Sequence, residues 1–373
     1  MTAAYHEALE CSPEVFSRLE EHFRRQHYEG RPYRYLPNAR GSFERGTVLI
    51  GDTVVRGYPK IGRTLVLEPG IESHFDGDLA IEEKLNGYNV RVVRLEGDLL
   101  AFTRSGLVCP FTTRVLERRQ GAQLGALFDA YPSAMVCGEM IGPESPYIQH
   151  EYPGVDSLAF RAFDWREREG GEPVPVAERR HRYARFEVPQ TRLFAIEDAD
   201  AAAAVCRRVV KELERDGREG VVLQSADGDR QVKYTAGSAN RGDLAYAFSL
   251  PFDYGREFVF RRVVREAFQS HEFGESAAER RARAHRLGEA ILLPMLETIS
   301  HVEAGQTAGE RHTVRADAET VDALLAHLRE QGLTLEVVSD RETDGERVVT
   351  FTKRAYSTSD SIDSALSGHV FEE

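Results

Sequence analysis

The segment Glu82-Glu83-Lys84-Leu85-Asn86-Gly87 joins two predicted strands, residues 79–83 and 88–95. Both flanks are rich in the β-branched and apolar residues that are typical of strands. Lys84 therefore stands at the end of a strand, from which its side chain can reach into a cleft. Gly87 has no Cβ, so we expect the backbone there to approach a nucleotide closely. Taken alone, the pattern is also compatible with a surface lysine beside a turn.

Strands and helices alternate on the C-terminal side of this motif. Apolar alternation and turn residues predict short strands at 99–103, 134–140, 158–164, 221–224 and 231–234. Helical periodicity predicts helices at 112–131 and 198–215. The charged segment 166–182, with its glycines and prolines, is predicted to be an exposed loop. These elements indicate an α+β fold with a core of antiparallel sheets and flanking helices.

Changes in the pattern divide the chain into four predicted regions. The first begins with a helix over 12–28, capped by Ser12, and continues with short strands at 46–50 and 63–67. The last has a helix and two strands that meet at the turn Thr343-Asp344-Gly345. The regions are an N-terminal β-rich module (1–68), a catalytic domain (69–240), a helical region with apolar stripes (241–310) and a small α/β module (311–373).

The composition argues against several classes of protein. A net charge of −13 does not suit a nucleic-acid coat, because the release of counterions from phosphates needs a basic surface. The four cysteines are scattered and support neither a zinc site nor a disulfide framework. No apolar run approaches the roughly 18 to 20 residues of a membrane helix, and the first residues lack a basic segment followed by an apolar one. We therefore expect a cytoplasmic protein.

Lysine is rare in this chain, where five lysines occur among 48 basic residues. Few lysines and an acidic total are typical of a salt-adapted, halophilic source, because excess carboxylates keep a protein soluble at high salt. Where nearly every cation is arginine, a retained lysine can serve a purpose that arginine cannot, such as acting as a nucleophile. Lys84 and Lys233 are the first candidates.

A series of motifs follows Lys84 in order, at predicted strand ends. Its members are Thr103-Arg104-Ser105-Gly106, Cys137-Gly138-Glu139, Phe160-Arg161-Ala162-Phe163-Asp164-Trp165, Glu219-Gly220 and Val232-Lys233-Tyr234. With this series the chain resembles the covalent nucleotidyltransferase superfamily of polynucleotide ligases and mRNA capping enzymes. It is most similar to the archaeal homodimeric RNA ligases, in which asparagine stands at the position of Asn86 where DNA ligases usually have aspartate.

This resemblance implies an ATP-dependent RNA ligase that carries AMP on Lys84, transfers it to an RNA 5′-phosphate and joins that end to a 3′-hydroxyl. It also implies that Lys233 neutralises the α-phosphate and that Glu219 binds a divalent metal, Mg²⁺ or Mn²⁺. Charge stabilisation of this kind is what phosphoryl transfer requires. The implied partners are single-stranded RNA ends and a second copy of the chain, which would pair through the helical region.

The resemblance further implies a set of nucleotide contacts. Glu82 would lie at the adenine edge, Phe163 would stack on adenine, Glu139 would bind ribose hydroxyls, and Arg104 would hold the ribose or the acceptor-side phosphate, with Asn86 and Gly87 lining the same site. Without the resemblance, each residue also fits a plainer role. A phenylalanine in an apolar strand can fill the core, and charged residues at strand ends can be solvated or paired.

Two alternatives and one departure from the family pattern stay open at this point. A DNA ligase or capping enzyme usually adds an oligonucleotide-binding barrel after the core, whereas 241–310 is predicted to be helical. A non-catalytic nucleotide- or RNA-binding protein would retain the fold without turnover. Many family members carry two lysines in the last motif, but here Lys233 stands alone, so an arginine such as Arg230 or Arg241 could assist it.

Overall fold

The computed structural model describes residues 5–370. The outer ends of the first and last predicted regions, residues 1–4 and 371–373, lie outside the described residues. The strands in the described range form one three-stranded, two four-stranded and one five-stranded sheet, mostly antiparallel and flanked by helices. The predicted α+β class is confirmed. None of the helices within 5–370 combines the length and the apolar character needed to cross a membrane.

The N-terminal part contains two short helices and a four-stranded antiparallel sheet. Its elements are α1 (Tyr5–Ala8), α2 (Pro13–Glu20), β1 (Arg24–Tyr28), β2 (Arg31–Tyr35), β3 (Val48–Ile50) and β4 (Thr53–Val55). Ser12 caps α2 by accepting a hydrogen bond from the Val15 N–H, as expected. The prediction of one helix over 12–28 is wrong beyond Glu20. Glu29 and Gly30 both have positive φ and close a tight hairpin between β1 and β2, and this pairing outweighs the helical spacing of the apolar residues.

Two sheets and four helices form the middle of the chain. The elements are β5 (Gly62–Arg63), α3 (Leu67–Glu72), β6 (Asp78–Lys84), β7 (Tyr88–Leu95), β8 (Asp98–Thr103), α4 (Pro110–Ala130), β9 (Ala134–Ile141), β10 (Ala159–Glu167), α5 (Val176–Arg185), β11 (Leu193–Asp198), α6 (Ala199–Arg215), β12 (Gly220–Ser225) and β13 (Gln231–Thr235). One sheet has the order β10-β9-β7-β8 and the other β11-β6-β12-β13-β5. The predicted core strands and both predicted helices are confirmed.

Two predictions in this middle part are wrong. The predicted strand 63–67 shrinks to the two residues of β5, because Leu67 already begins α3 and is buried against α6. The predicted loop 166–182 contains the start of α5, which buries Val176, Arg179 and Tyr183 at helical spacing. The many charges of this segment conceal the helix, since one of the buried positions is an arginine.

Helices dominate the chain after β13, followed by a small three-stranded sheet. The elements are α7 (Gly237–Ser249), α8 (Arg256–Glu272), α9 (Ala277–Glu303), β14 (Gly309–Ala316), α10 (Ala318–Glu330), β15 (Leu335–Thr343), β16 (Glu346–Arg354) and α11 (Tyr356–Leu366). The predicted helix, two strands and turn at Asp344-Gly345 are present. The sequence prediction missed β14 and α11. The boundaries of the four regions stay predictions.

Arg91 ties the N-terminal part to the middle sheets. Its side chain on β7 is fully buried and donates hydrogen bonds to the backbone carbonyls of Gly46 at 2.7 Å, Thr103 at 3.2 Å and Arg56. Burial lowers the pKa of Arg91 to about 10. One planar guanidinium therefore binds carbonyl groups from three separate segments of the chain.

We expect Arg91→Leu to reduce the free energy of unfolding by about 3 kcal/mol, because buried carbonyl oxygens lose their donors. Urea denaturation followed by circular dichroism measures this loss. Arg94→Leu, at a partly exposed position on the same strand that pairs with Asp129, is the matched control and should cost less than about 1 kcal/mol. Equal losses for the two variants would contradict the role assigned to Arg91.

Candidate active site

The five-stranded sheet has one apolar face and one polar face. Side chains alternate along each strand, so residues two apart share a face, and directly paired residues on neighbouring strands share it as well. The apolar face, with Leu79, Ile81 and Val221 among its residues, packs against α3 and α6. The opposite face carries the charged residues. The burial of one face therefore fixes which side chains look into the space on the other side.

The register of the sheet brings distant charged residues into two adjacent rows on the polar face. Glu82 on β6 is paired through Val222 to Lys233 on β13, and Lys233 is paired in turn to Arg63 on β5. Lys84 lies one row further along, paired to Gly220. The strand that ends in Lys84 and the strand that carries Lys233 are separated by β12 alone.

This polar face forms one wall of a pocket of about 1030 Å³. The other walls come from the β10-β9-β7-β8 sheet, from the loop after β2 and from the segment before β5. Of the predicted site residues, the pocket lining includes Glu82, Lys84, Gly87, Arg104, Glu139, Phe163 and Lys233. A volume of this size can hold a nucleotide.

Lys84 and Glu219 form an ion pair at the edge of the pocket. Glu219 immediately precedes β12, and Gly220 is the direct partner of Lys84, so the ladder places the carboxylate against the amine. Both side chains are mostly buried, with 18% and 16% of their surfaces exposed. An amine held in this way must give up this partner and a proton before it can act as a nucleophile.

Lys233 is the lysine whose environment most disfavours its charge. Burial, together with Arg63, Lys84 and Arg104, lowers the pKa of Lys233 to about 8, and Glu219 acts in the opposite direction. Arg104 follows the end of β8 and also lines the pocket. Three further cations therefore lie close enough to Lys233 to disfavour its charge, and two of them, Lys84 and Arg104, line the same pocket. Such a concentration of positive charge is suited to an anionic ligand.

The pKa of Glu139 is shifted in the opposite direction, toward higher pH. Burial raises the pKa of its carboxyl group to about 8, with Glu219 adding to the effect and with Lys84 and Arg104 opposing it. Near neutral pH the group is therefore mostly protonated and can both donate and accept hydrogen bonds. Such a group is suited to hydroxyl partners.

Glu82 enters the pocket wall with two cationic partners. Its carboxylate oxygens accept hydrogen bonds from Arg179 and Arg180 of α5, each at 2.7 Å. Its side chain is only 3% exposed. The two arginines lie in the segment that was predicted to be a loop, so the sequence did not reveal that Glu82 anchors α5 to the strand that carries Lys84.

Gly87 has a structural requirement in addition to the close approach of a ligand that the sequence predicts. A Cβ at this position would clash with the carbonyl oxygen of Met140, so the loop that carries Gly87 also approaches β9 closely. The Asn86 backbone N–H donates a hydrogen bond to the Tyr152 hydroxyl, and Asn86 is outside the pocket lining. Both residues fix the loop after Lys84.

Phe163 projects into the pocket from a β-bulge. The register between β10 and β9 shifts between Ala162 and Asp164, which leaves Phe163 as the extra residue. Its ring is partly buried and contacts Tyr58 edge-on, with 5.4 Å between ring centroids. The bulge turns an aromatic face toward the ligand space, which the motif alone could not show.

Other residues at the site escaped the sequence analysis. Tyr58 and Gln231 line the pocket and donate hydrogen bonds to Asp164, at 2.9 and 3.1 Å, so that the two middle sheets are linked at this point. The suggested helpers of Lys233 are engaged elsewhere. Arg230 pairs with Asp76 at 2.8 Å, and Arg241 pairs with Glu214 and Glu266. Neither arginine lines the pocket, whereas Arg63 is the direct strand partner of Lys233.

A lysine at a strand end, in a pocket between two sheets that also holds a second lysine and two glutamates, fits the nucleotidyltransferase class to which polynucleotide ligases belong. The RNA ligase family model matches residues 77–235, and the model of the Pab1020 ligase C-terminal region matches residues 246–369. Two solved structures of an archaeal ATP-dependent RNA ligase, forms 2 and 1, are each 39% identical to this chain. Each covers 98% of both chains, with TM-scores of 0.92 and 0.91.

An uncharacterized protein of Methanocaldococcus jannaschii is 40% identical over 342 residues, which are 88% of this chain and 86% of that protein. This chain belongs to the family of archaeal ATP-dependent RNA ligases. The resemblance drawn from Lys84 and the motifs that follow it is thereby confirmed.

The lowered pKa of Lys233 predicts a titration near pH 8, visible by NMR of ¹³C-labelled lysine because the chain has only five lysines. Lys233→Arg should remove this signal, and Arg63→Ala should move the titration to higher pH because one neighbouring cation is lost. Between pH 8 and the ordinary value of 10.5, the unfolded chain holds a proton that the folded chain has lost. The contribution of Lys233 to stability therefore becomes more favourable as pH rises through that window. A titration at 10.5 would contradict the proposed environment.

Proposed function

We propose that this protein is an ATP-dependent RNA ligase that seals a 5′-phosphate to a 3′-hydroxyl through AMP carried on Lys84. The observation that carries the proposal is the placement of the Lys84 amine at a pocket that also contains Lys233, Arg104 and Glu139. These are the charges that transfer of a nucleotidyl group needs. The similarity to archaeal ATP-dependent RNA ligases over nearly the whole chain supports the same activity.

In the first step, Nζ of Lys84 loses a proton and attacks the α-phosphorus of ATP. A nitrogen–phosphorus bond forms as the bond from the α-phosphorus to the β-bridging oxygen breaks, and the electron pair leaves with pyrophosphate. Lys233 neutralises the charge that develops on the α-phosphate oxygens. Glu219 orients the amine before the nucleotide arrives, since the two groups are already paired.

Two further displacements return the enzyme to its starting state. An oxygen of the RNA 5′-phosphate attacks the phosphorus of lysyl-AMP, and the Lys84 nitrogen leaves and regains a proton. The 3′-hydroxyl then attacks the 5′-phosphorus of the adenylylated end, a phosphodiester forms, and AMP leaves. Arg104 would contact the acceptor-side phosphate, because it is a pocket cation on the sheet opposite Lys233.

The nucleoside part of ATP would lie against Phe163 and Glu139. The partly buried ring of Phe163 offers a stacking face, and the protonated Glu139 offers both a donor and an acceptor to ribose hydroxyls. Glu82 would meet the adenine edge with the acceptor capacity that its two arginines leave free.

The carboxylates at this site fit a divalent cation of the Mg²⁺ or Mn²⁺ type. Residues 5–370 contain no group of three metal-ligating side chains, but such ions are commonly held by one or two carboxylates together with substrate phosphates and water. Glu219 is close enough to Glu139 to raise its pKa, and it lies beside Lys84 at the edge of the pocket. When bound, the ion would neutralise phosphate charge, with Glu219 as its ligand.

Incubation with α-labelled ATP or GTP in parallel, followed by denaturing electrophoresis and peptide mapping, tests this proposal. We expect label from ATP on the peptide that contains Lys84, in an acid-labile bond. Lys84→Ala should reduce the label below detection, while Lys211→Ala, at an exposed position on α6, should leave it unchanged. Label on the Lys84→Ala protein would refute the nucleophile, label from GTP would indicate capping chemistry, and no label at all would favour a non-catalytic binding protein.

We also propose that two copies of the chain pair through α8 and α9. Large apolar side chains are exposed on both helices, with Phe260 68% exposed and Leu292, Leu293 and Leu296 each about half exposed. Leu292, Leu293 and Leu296 lie within about one turn of α9, and exposed apolar side chains grouped in this way are typical of an interface between protein chains. The occupant proposed is a second copy, as the resemblance to homodimeric ligases implies.

The double substitution Leu293→Arg and Leu296→Arg should convert a dimer to a monomer, because burial of two guanidinium groups in an apolar interface is strongly unfavourable. Light scattering coupled to gel filtration measures the mass. Val338→Arg, at a similarly exposed apolar position on β15, serves as the control and should retain the dimer. A monomeric wild-type protein would refute the proposed interface.

A further inference from the structure

A pair of arginines stands beside Lys233 on the side away from Lys84. Arg63 on β5 is the direct strand partner of Lys233 and donates a hydrogen bond to the Thr235 hydroxyl. Arg265 comes from α8, and it lines with Arg63 a shallow crevice that also includes Thr235 and Gln269. Residues from the sheet and from the helical region therefore meet at this edge.

The two arginines have no anionic partner of their own. Across residues 5–370, no carboxylate lies within ion-pair distance of either guanidinium; Arg265 has a long hydrogen bond of 3.4 Å to the Asn240 side chain. The nearby carboxylates are committed, since Glu219 pairs with Lys84 and Asp243 pairs with Arg262 at 2.7 Å. Two half-buried cations without a counter-ion are unusual in a chain with 61 acidic residues.

The arrangement disfavours the charge on both arginines. Burial and the neighbouring Arg265 lower the pKa of Arg63 to about 10. Burial and Arg262 lower the pKa of Arg265, which is also close enough to interact with Glu219. The cluster therefore favours an incoming anion, which would relieve the repulsion between its members.

The direction of the first chemical step identifies that anion. An in-line displacement requires the leaving group to depart opposite to the attacking atom. Lys84 attacks from β6, and the strand order runs from β6 through β12 and β13 to β5. A leaving group directed away from Lys84 would therefore pass Lys233 and move toward Arg63 and Arg265, which line the adjoining crevice rather than the pocket itself.

We propose that Arg63 and Arg265 bind the β- and γ-phosphates of ATP and stabilise pyrophosphate as it leaves. This inference rests on the proposed ligase function. As the Lys84 nitrogen–phosphorus bond forms, the electron pair of the breaking phosphorus–oxygen bond moves onto pyrophosphate, and the two guanidinium groups neutralise the added charge. Arg63 thus takes the position next to Lys233 for which the sequence offered no second lysine.

Loss of Arg63 or Arg265 should affect the three steps of the reaction differently. Pyrophosphate takes part only in the formation of lysyl-AMP and in its reversal. Sealing of RNA that already carries a 5′-adenylyl group uses no triphosphate, so it should not need these arginines. An RNA-binding cluster would give the opposite pattern, with loss of sealing and no change in the response to pyrophosphate.

The test compares Arg265→Ala, Arg63→Ala and the double variant with the wild-type protein. Each single change should slow self-adenylylation at low ATP by about 10- to 100-fold, the effect expected for loss of a charged hydrogen-bond donor. The same substitution should raise, by a similar factor, the concentration of pyrophosphate needed to remove AMP from Lys84. Sealing of pre-adenylylated RNA should stay within about twofold of wild type. Arg265→Lys should recover part of the adenylylation rate, because it retains the charge.

Arg261→Ala is the matched control on the same helix. Arg261 is 63% exposed on its side chain and pairs with Glu257 one turn away, so its loss should leave all three measurements unchanged. Unchanged adenylylation in the double variant, or an equal loss of sealing, would overturn the inference while leaving the ligase function intact. If the wild-type protein takes no label from ATP and also seals no RNA, the proposed function itself is wrong, and this inference fails with it.

Discussion

The antiparallel pairing of β6 with β12 is the constraint on which the site depends. It sets Lys84 opposite Gly220, and Glu219 consequently meets the lysine amine. The next strands of the same sheet then add Lys233 and Arg63 in fixed register. Because the other face of the sheet is packed against α3 and α6, a slip of one residue would turn these charges into an apolar core. Hydrophobic burial on one face therefore specifies the chemistry on the other.

The distribution of charge explains how an acidic protein can serve a polyanionic substrate. The chain uses many of its carboxylates to neutralise arginines away from the ligand, as Asp129 does with Arg94 at 2.7 Å. Around Lys233 the balance is reversed, because Arg63, Lys84 and Arg104 disfavour its charge while Glu219 favours it. The net charge of −13 is a property of the whole surface, whereas phosphate recognition depends on a few half-buried groups in a local environment.

The sequence predicted the parts of the site that depend on local pattern. Strands with clear alternation, such as β6 and β13, and the long helices α4 and α6 lie close to the predicted bounds. The family motifs identified the lysines and glutamates that border the pocket. The position of Arg63 could not be predicted. Its strand β5 has only two residues, and only the parallel pairing with β13 places Arg63 beside Lys233. The contribution of Arg179 could not be predicted either, because a charged residue at a buried position hides the apolar face of its helix.

Assembly of the pocket from such distant segments has a consequence for synthesis of the protein. A nascent chain that has emerged only as far as β11 contains Lys84 but lacks Glu219, Lys233 and the strands that orient them. Contacts of such high sequence separation form late in folding. On the proposed mechanism, Lys84 would not react with ATP while the chain is still on the ribosome. AMP on Lys84 would then mark only those chains whose sheet has closed.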